Sequence, residues 1–260
     1  MMDPNALTSA TAIILAQDPP YTAPGLEPRI LAPVGGQPLL AHLLEQLSQA
    51  GVPRAVLCAG TENESVRDSF GDRFEDLALV YSESSNELAN GARLREARHL
   101  AESSSILVMN AASYCCLDLL ELWRWHQVQP AHATVVTATI RNAQGFGRVD
   151  ADEANRVHHL GGRATIEGPG RINTGIYLVH APLLERIPAG PSVSIERDLL
   201  PRWIENLSVF AYPASGAFLD VRTPQSFSNA DRFFLTRRMH LDRLNPTLSE
   251  EHTETTAMVA

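Results

Sequence analysis

Short apolar segments alternate with amphipathic helical segments through the first half of the chain, and this alternation limits the folds available to it. Residues 11–16, TAIILA, are apolar and partly β-branched, which is typical of a buried strand. Residues 38–51 carry five leucines on one broad helical face, and Gly51 marks the end of this helix. The same reasoning predicts strands at residues 54–60, 77–82 and 105–110, a helix and turn at residues 64–74, and helices at residues 86–101 and 117–129. We therefore expect a parallel sheet covered by helices on both faces, with ligands beyond the carboxyl ends of its strands.

The second half of the chain differs, because its strand-like segments are separated by few helices. Strands are predicted at residues 133–140, 147–152, 155–160, 172–180, 207–213 and 216–221, and helices at residues 194–205 and 223–241. These strands would extend the sheet into a mixed one. We predict an α/β fold with a mixed, mostly parallel sheet flanked by helices, in one domain over residues 11–240. Residues 1–10 are expected to be a flexible leader, and the polar residues 241–260 a disordered tail.

Composition and charge argue against several classes of function. The 260 residues are 44% hydrophobic, which is enough for a substantial core. The net charge of −9 and the pI near 5.5 argue against a nucleic-acid binder, which would carry a basic patch. The three cysteines form no C-x-x-C pair, and we interpret Cys115 and Cys116 as small packing residues. With no secretion signal and no apolar run of bilayer length, we expect a cytoplasmic protein without a membrane span.

An ordered series of motifs runs through the chain. In order they are PRILAPVGGQPLLAHLLEQLSQAGV at residues 28–52, FGDRF at 70–74, LANGARL at 88–94, LVMNAAS at 107–113, GPGRINTGIYLV at 168–179, SIERDLLPR at 194–202 and FLDVRTPQSF at 218–227. This order resembles the sugar-1-phosphate nucleotidyltransferases over residues 11–235, and is closest in pattern to the heptose- and mannose-1-phosphate guanylyltransferases. The resemblance implies the Rossmann-like nucleotide-diphospho-sugar transferase fold.

The resemblance also implies a reaction and the groups that carry it. An oxygen of the sugar phosphate attacks the α-phosphate of a nucleoside triphosphate in line, and pyrophosphate leaves. Family members hold the two polyanions with a glycine-rich loop that contains arginine, and with a lysine just beyond this loop. They also use Mg²⁺ held by two aspartates, one in an Asn-Gly-Asp pattern and one in a late Asp-Ile-Gly-Thr-Pro pattern.

The catalytic pattern is matched only in part. Arg29 stands at the lysine position and keeps the charge with a different geometry. Asn110 keeps the asparagine of the first aspartate motif, but Ala112 replaces its aspartate. Asp220 keeps the second aspartate, whereas Arg222 replaces the glycine two residues later. The resemblance thus implies Arg29 and Asp220 as the catalytic residues of an active enzyme, with Asp220 as a weak Mg²⁺ ligand.

The resemblance assigns further residues to the two halves of the ligand. On the nucleotide side these are Ala16, Gln17, Asn90, Gly91 and Asn110. On the sugar-phosphate side they are Gly147, Arg163, Asn173, Gly175 and Glu196. Arg163 takes the place of a lysine that would contact the sugar phosphate. Glu196 would accept hydrogen bonds from sugar hydroxyls.

Residues 17–25, QDPPYTAPG, take the place of the glycine-rich loop and lack its chemistry. Glycines let backbone N–H groups approach phosphate oxygens closely. Pro19, Pro20 and Pro24 offer no N–H, Asp18 would repel a triphosphate, and the expected arginine is missing. This segment thus lacks the groups with which the family's loop binds phosphate. The absence of the aspartate at residue 112 also removes a ligand of the Mg²⁺ ion that would bind phosphate.

Three hypotheses follow for the function. The first is a non-catalytic or impaired relative that binds a nucleotide, sugar nucleotide or sugar phosphate, or that regulates an active nucleotidyltransferase as its partner. The second is an active enzyme that makes a GDP-heptose or GDP-mannose type of product with Mg²⁺. The third is a structural interaction partner without a small ligand. A homodimer is compatible with each of them.

Three other features have ordinary structural interpretations. His158 and His159 are adjacent, so in a strand they point to opposite faces rather than to one metal. Trp123 and Trp125 could stack on a base, but packing of their helix is the stronger interpretation. Residues 168–175, GPGRINTG, are either a turn leading into a strand or part of the sugar site, and the resemblance favours the sugar site.

Overall fold

A computed structural model describes residues 6–16, 30–85, 87–163, 165 and 167–244. Its strands are β1 (Thr11–Leu15), β2 (Pro33–Val34), β3 (Gln37–Pro38), β4 (Arg54–Leu57), β5 (Arg73–Phe74), β6 (Leu77–Tyr81), β7 (Ser105–Asn110), β8 (Ser113–Cys115), β9 (Ala133–Ile140), β10 (Gly147–Ala151), β11 (Val157–Arg163), β12 (Gly170–His180), β13 (Val209–Pro213) and β14 (Phe218–Asp220). Its helices are α1 (Leu39–Gln49), α2 (Asn63–Phe70), α3 (Asn90–Ala97), α4 (Leu119–Val128), α5 (Ala181–Glu185), α6 (Leu200–Asn206) and α7 (Pro224–Leu244).

The main sheet is mixed. In its main path the strand order is β11-β10-β12-β7-β1-β4-β6-β5, and β9 pairs with both β12 and β13. Pairing is parallel through β7, β1, β4 and β6, and again between β9 and β13. The long strand β12 runs antiparallel to both β7 and β9 and joins the two parallel regions. The predicted fold class, a mixed sheet flanked by helices, is confirmed.

The central strand β1 shows why its segment is apolar throughout. Ala12 and Ile14 lie in the hydrophobic cluster on one face of the sheet, together with the leucines of α1. Ile13 and Leu15 lie in the cluster on the other face, with apolar residues of α3, α5 and α6. Successive side chains of a strand point to opposite faces, so a strand covered on both faces is continuously hydrophobic. All five leucines of the predicted helix are fully buried in α1.

The helix predicted over residues 86–101 begins later than predicted. In the structure α3 starts at Asn90, and residues 98–100 form a 3₁₀ turn. The backbone N–H of Ala89 donates to the carbonyl of Pro191 at 2.7 Å, which holds Ala89 in an extended conformation. A contact distant in sequence therefore overrides the local helical propensity of residues 87–89.

Other boundaries also differ from the predictions. Residues 64–74, predicted as a helix and turn, hold a helix that ends at Phe70, and residues 73–74 form β5. The helix predicted at 194–205 consists of a π-helical turn, Ile195–Leu199, followed by α6. Residues 6–9 of the predicted leader form a 3₁₀ turn, and Leu7 is buried in the core.

Several alternative interpretations of single side chains are decided by packing. Trp123 is buried in the core, and the ring of Trp125 meets those of Phe210 and Tyr212 edge-on, so the two tryptophans pack α4 against the sheet. His158 is exposed and lies 3.1 Å from a carboxylate oxygen of Asp152. Within the part of the chain that the structure describes, no helix has both the length and the apolar character needed to cross a bilayer.

A buried histidine predicts how stability depends on pH. Burial, and then the neighbouring His180, lower the pKa of His126 to about 4. Its Nδ1 lies 2.7 Å from Thr134 Oγ1, and its Nε2 has no hydrogen-bond partner among the described residues. Between pH 6.5, the ordinary pKa of histidine, and about 4, the unfolded chain binds a proton that the folded protein excludes. Acidification through this window should therefore cost roughly 3 kcal/mol of unfolding free energy at this residue.

Denaturant unfolding of the wild type and of His126→Leu over this pH range measures the effect. The variant should lose less stability than the wild type as the pH falls. Equal losses in the two proteins would contradict the assignment to His126.

Candidate functional site

A cavity of about 680 Å³ opens at the carboxyl end of β7. Its walls come from the end of β7, the start of β10, β11, the middle of β12, the π-helical turn and the end of β14. The predicted site residues that line it are Asn90, Asn110, Gly147, Asn173, Gly175, Glu196 and Asp220. Segments far apart in sequence thus meet at one end of the sheet, where an α/β protein is expected to bind ligands. The roles of these residues in binding stay predictions.

The remaining predicted site residues lie elsewhere or outside the described residues. Ala16 is fully buried, and its N–H donates to the carbonyl of Cys58. Gly91 faces the backbone of Val193, and a Cβ at Gly91 would lie 2.8 Å from that carbonyl oxygen. Close packing of α3 therefore accounts for this glycine without a nucleotide. Gln17 and Arg29 lie outside the described residues, and Arg163 is described only through its backbone, at the end of β11.

The Glu196 carboxylate is the centre of a hydrogen-bond network in the cavity. Its Oε2 accepts hydrogen bonds from Asn90 Nδ2 at 2.8 Å and from Ser194 Oγ at 3.1 Å. Its Oε1 accepts from the Tyr177 hydroxyl at 3.1 Å, and that hydroxyl accepts in turn from Asn173 Nδ2 at 2.8 Å. These donors fix a carboxylate in a partly buried position, as recognition of a ligand hydroxyl requires.

The electrostatics of this network keep its tyrosine protonated. Burial, and then the negative charge of Glu196, raise the pKa of Tyr177 well above its ordinary value. Tyr177 is therefore a neutral hydrogen-bond donor at any working pH. It holds Glu196 and Asn173 in fixed positions rather than acting as an acid or base.

The Asn-x-Gly pattern in β12 has a structural cause. Asn173 Oδ1 accepts a hydrogen bond from the Gly175 N–H at 2.9 Å, which shapes a local bend in the strand. Gly175 has φ +80°, and a Cβ there would lie 3.0 Å from Asn110 Cβ. Glycine lets β12 and the end of β7 approach closely. Asn110 Oδ1 accepts from the Ala112 N–H at 2.9 Å, so both asparagines shape the cavity wall.

The carboxylate of Asp220 is paired with Arg222. The guanidinium donates from Nε to Oδ1 and from Nη2 to Oδ2, each at 2.9 Å, and the Arg222 backbone N–H also donates to Oδ1 at 2.9 Å. The Asp220 side chain is only 13% exposed. Such a bidentate pair is the strongest hydrogen-bonding geometry for an arginine and a carboxylate.

The described residues do not fit Mg²⁺. This ion requires several oxygen ligands in near-octahedral geometry, and proteins usually supply one or two carboxylates. Strands β8 and β14 place Asp220 next to Ala112, where the Val221 N–H donates to the Ala112 carbonyl at 3.0 Å. Alanine offers no carboxylate, and both Asp220 oxygens accept hydrogen bonds from Arg222. No group of three or more His, Cys, Asp or Glu residues in the described ranges could hold a metal ion.

Sequence reasoning missed some residues of the cavity. Phe146 lines it, with the guanidinium of Arg222 5.0 Å from the centre of its ring. Ser194 and Tyr177 position Glu196, and Arg197 lies at the exposed margin. A phenylalanine beside glycines and a tyrosine in an apolar strand look like core residues in a sequence. Only their tertiary neighbours distinguish them.

The family model described as Nucleotidyl transferase matches residues 25–237. The chain belongs to this family. The match covers most of the chain and includes all the cavity-lining segments named above. The resemblance found in the sequence is thereby confirmed at the level of the family and the fold.

Individual relatives are distant. The chain is 25% identical over 203 residues to mannose-1-phosphate guanylyltransferase of Mycobacterium tuberculosis, covering 77% of this chain and 56% of that protein. It is 20% identical over 205 residues to the D-glycero-alpha-D-manno-heptose 1-phosphate guanylyltransferase of Aneurinibacillus thermoaerophilus, covering 79% and 88%. The crystal structure of HddC from Yersinia pseudotuberculosis complexed with GMP-PN superimposes with a TM-score of 0.74 at 22% identity, over 86% of this chain and 99% of HddC. The chain therefore spans little more than half of the mycobacterial relative.

Proposed function

We propose that this nucleotidyltransferase-family chain has lost efficient nucleotidyl transfer and binds a sugar 1-phosphate or a nucleotide sugar in the cavity at the end of β7. The observation that carries the proposal is the contrast between two parts of one cavity. The network around Glu196, suited to hydroxyl groups, is complete. The part expected to hold the metal has an alanine and a carboxylate engaged by arginine.

The charge of the cavity supports a ligand of modest charge. Among the described residues, its ionisable lining consists of Glu196, Asp220, Arg197 and Arg222, two carboxylates and two guanidinium groups. A free triphosphate would bring several negative charges to this balanced lining, and the sequence of residues 17–25 adds no basic residue. A sugar 1-phosphate brings only about two charges and also offers hydroxyls to Glu196.

The runner-up function is an active enzyme that makes a GDP-sugar from GTP and a heptose or mannose 1-phosphate. The guanylyltransferase names of the relatives favour it. In that case Arg29 would stabilise the transferring phosphate, and Asp220 would have to leave Arg222 to assist a metal. A regulatory subunit of an active relative is compatible with the main proposal, because ligand binding alone would allow sensing.

A thermal-shift titration tests the proposal. The ligands are GTP, ATP, CTP, UTP and dTTP, each with and without Mg²⁺, and sugar 1-phosphates, GDP-sugars and UDP-sugars alone. A ligand at about a hundred times its Kd stabilises the folded state by ~2.7 kcal/mol, which is readily seen as a higher Tm. We expect a shift with a sugar phosphate or nucleotide sugar and none with free triphosphates. A Mg²⁺-dependent shift with one triphosphate would favour the active enzyme, and no shift with any ligand would favour a structural partner.

A further inference from the structure

We propose that Arg222 is the resident cation of this cavity, and that it makes binding of a phosphorylated sugar independent of any divalent metal. The inference rests on the proposed function in one respect, because it places the ligand in this cavity. It goes further by naming the charge that accompanies the ligand and by predicting that metal ions are rejected. Neither property follows from membership of the family.

The first support is the fixed position of the guanidinium. Two hydrogen bonds of 2.9 Å tie it to the two oxygens of Asp220. The central carbon of the guanidinium, Cζ, lies 5.0 Å from the centre of the Phe146 ring. That ring meets the Phe218 ring edge-on, with 5.7 Å between the ring centres. A cation held against a carboxylate and an aromatic face keeps its charge in one place without a metal.

The second support is the competition at Asp220. A divalent ion at this carboxylate would compete with Arg222 for the oxygens of a side chain that is only 13% exposed. The guanidinium would then lose two charge-assisted hydrogen bonds. The ion would gain little, because Ala112 beside Asp220 has no second carboxylate to offer. Binding of Mg²⁺ at this position is therefore unfavourable.

Removal of Arg222 should change the charge of the cavity. Without Arg222, Asp220 would be a carboxylate without its counter-charge in a cavity that Glu196 also lines. An anionic ligand would then be repelled unless a divalent ion, held by Asp220 and by the phosphate oxygens of the ligand, restored the positive charge. The same cavity would become metal-dependent through a single substitution.

Two measurements on the wild-type chain test the proposal directly. Calorimetric titration with mannose 1-phosphate and glucose 1-phosphate, in EDTA and in MgCl₂, should give the same Kd in both. Electron paramagnetic resonance of Mn²⁺ added to the protein alone should show only free ions. Mn²⁺ bound by the wild type and released in Asp220→Asn would overturn the proposal, whether or not a sugar phosphate binds.

The proposed function and the role of Arg222 predict different binding results. If neither sugar phosphate nor nucleotide sugar binds in EDTA or MgCl₂, the proposed function is wrong. If one binds only with Mg²⁺, the proposed function survives and the role of Arg222 as resident cation is wrong.

Arg222→Gly provides the matched variant. In EDTA it should bind the sugar phosphate about tenfold more weakly than the wild type, and MgCl₂ should restore the affinity. Arg222→Lys keeps the positive charge, so its affinity for the sugar phosphate should not depend on Mg²⁺. Circular dichroism verifies that each variant is folded. A loss of affinity in Arg222→Gly that Mg²⁺ does not restore would mean that the arginine acts only on the shape of the cavity, and would overturn the proposal.

Discussion

The wild-type chain, supplied with GTP, mannose 1-phosphate and MgCl₂, is expected to release pyrophosphate at least about a thousandfold more slowly than the ~10 s⁻¹ typical of enzymes. The physical reason is the loss of positive groups where charge builds on the α-phosphate. One such preorganised group is worth about 10²–10³ in kcat. Residues 17–25 contain one glycine, Gly25, and no arginine, and residue 112 is an alanine, which has no carboxylate to hold a Mg²⁺ ion. A coupled assay for pyrophosphate, repeated with other triphosphates and sugar phosphates, measures this rate.

Two variants make the result interpretable. Ala111→Gly, Ala112→Asp and Arg222→Gly, combined with a glycine-rich loop at residues 17–25, should raise pyrophosphate release about tenfold or more above the wild type. Asp220→Ala should leave the low wild-type rate unchanged. A substantial wild-type rate that Asp220→Ala abolishes would establish the active enzyme instead. Failure of the rebuilt chain to gain activity, although folded, would mean that more than the phosphate site has been lost.

Glu196→Ala is expected to weaken binding of the sugar ligand by about tenfold to a hundredfold, and to cost about 1–3 kcal/mol of unfolding free energy. The carboxylate accepts hydrogen bonds from Asn90, Ser194 and Tyr177. Its removal leaves the buried Tyr177 hydroxyl without its acceptor and takes away the group that would bind a sugar hydroxyl. Calorimetric titration and denaturant unfolding measure the two effects separately.

Two controls accompany Glu196→Ala. Glu205→Ala removes an exposed carboxylate from α6 and should change neither quantity appreciably. Tyr177→Phe keeps the charge of Glu196 but removes the hydroxyl between Glu196 and Asn173, so it should weaken sugar binding less than Glu196→Ala does. If Glu196→Ala lowers stability but leaves the affinity intact, the network supports the fold alone and the ligand lies elsewhere.

Much of the fold could be predicted from the sequence because its signals are local. The leucines of α1 and the apolar run of β1 repeat at the periods of a helix and of a strand covered on both faces, and both elements formed as predicted. Predictions failed where a distant contact decides the backbone. The N–H of Ala89 bonds to the carbonyl of Pro191, which delays the start of α3.

The sequence by itself indicated the family and the strands and helices of the centre, and it places an alanine at residue 112. It also pointed to Asn173, Glu196 and Asp220, which the folded chain brings to one cavity. Only the tertiary structure decided what surrounds these groups. The ion pair of Asp220 with Arg222, and the bond from Tyr177 to Glu196, depend on side-chain orientations that no spacing in the sequence specifies. Residue types fix which chemistry is available, but the packing of distant segments fixes which charges meet.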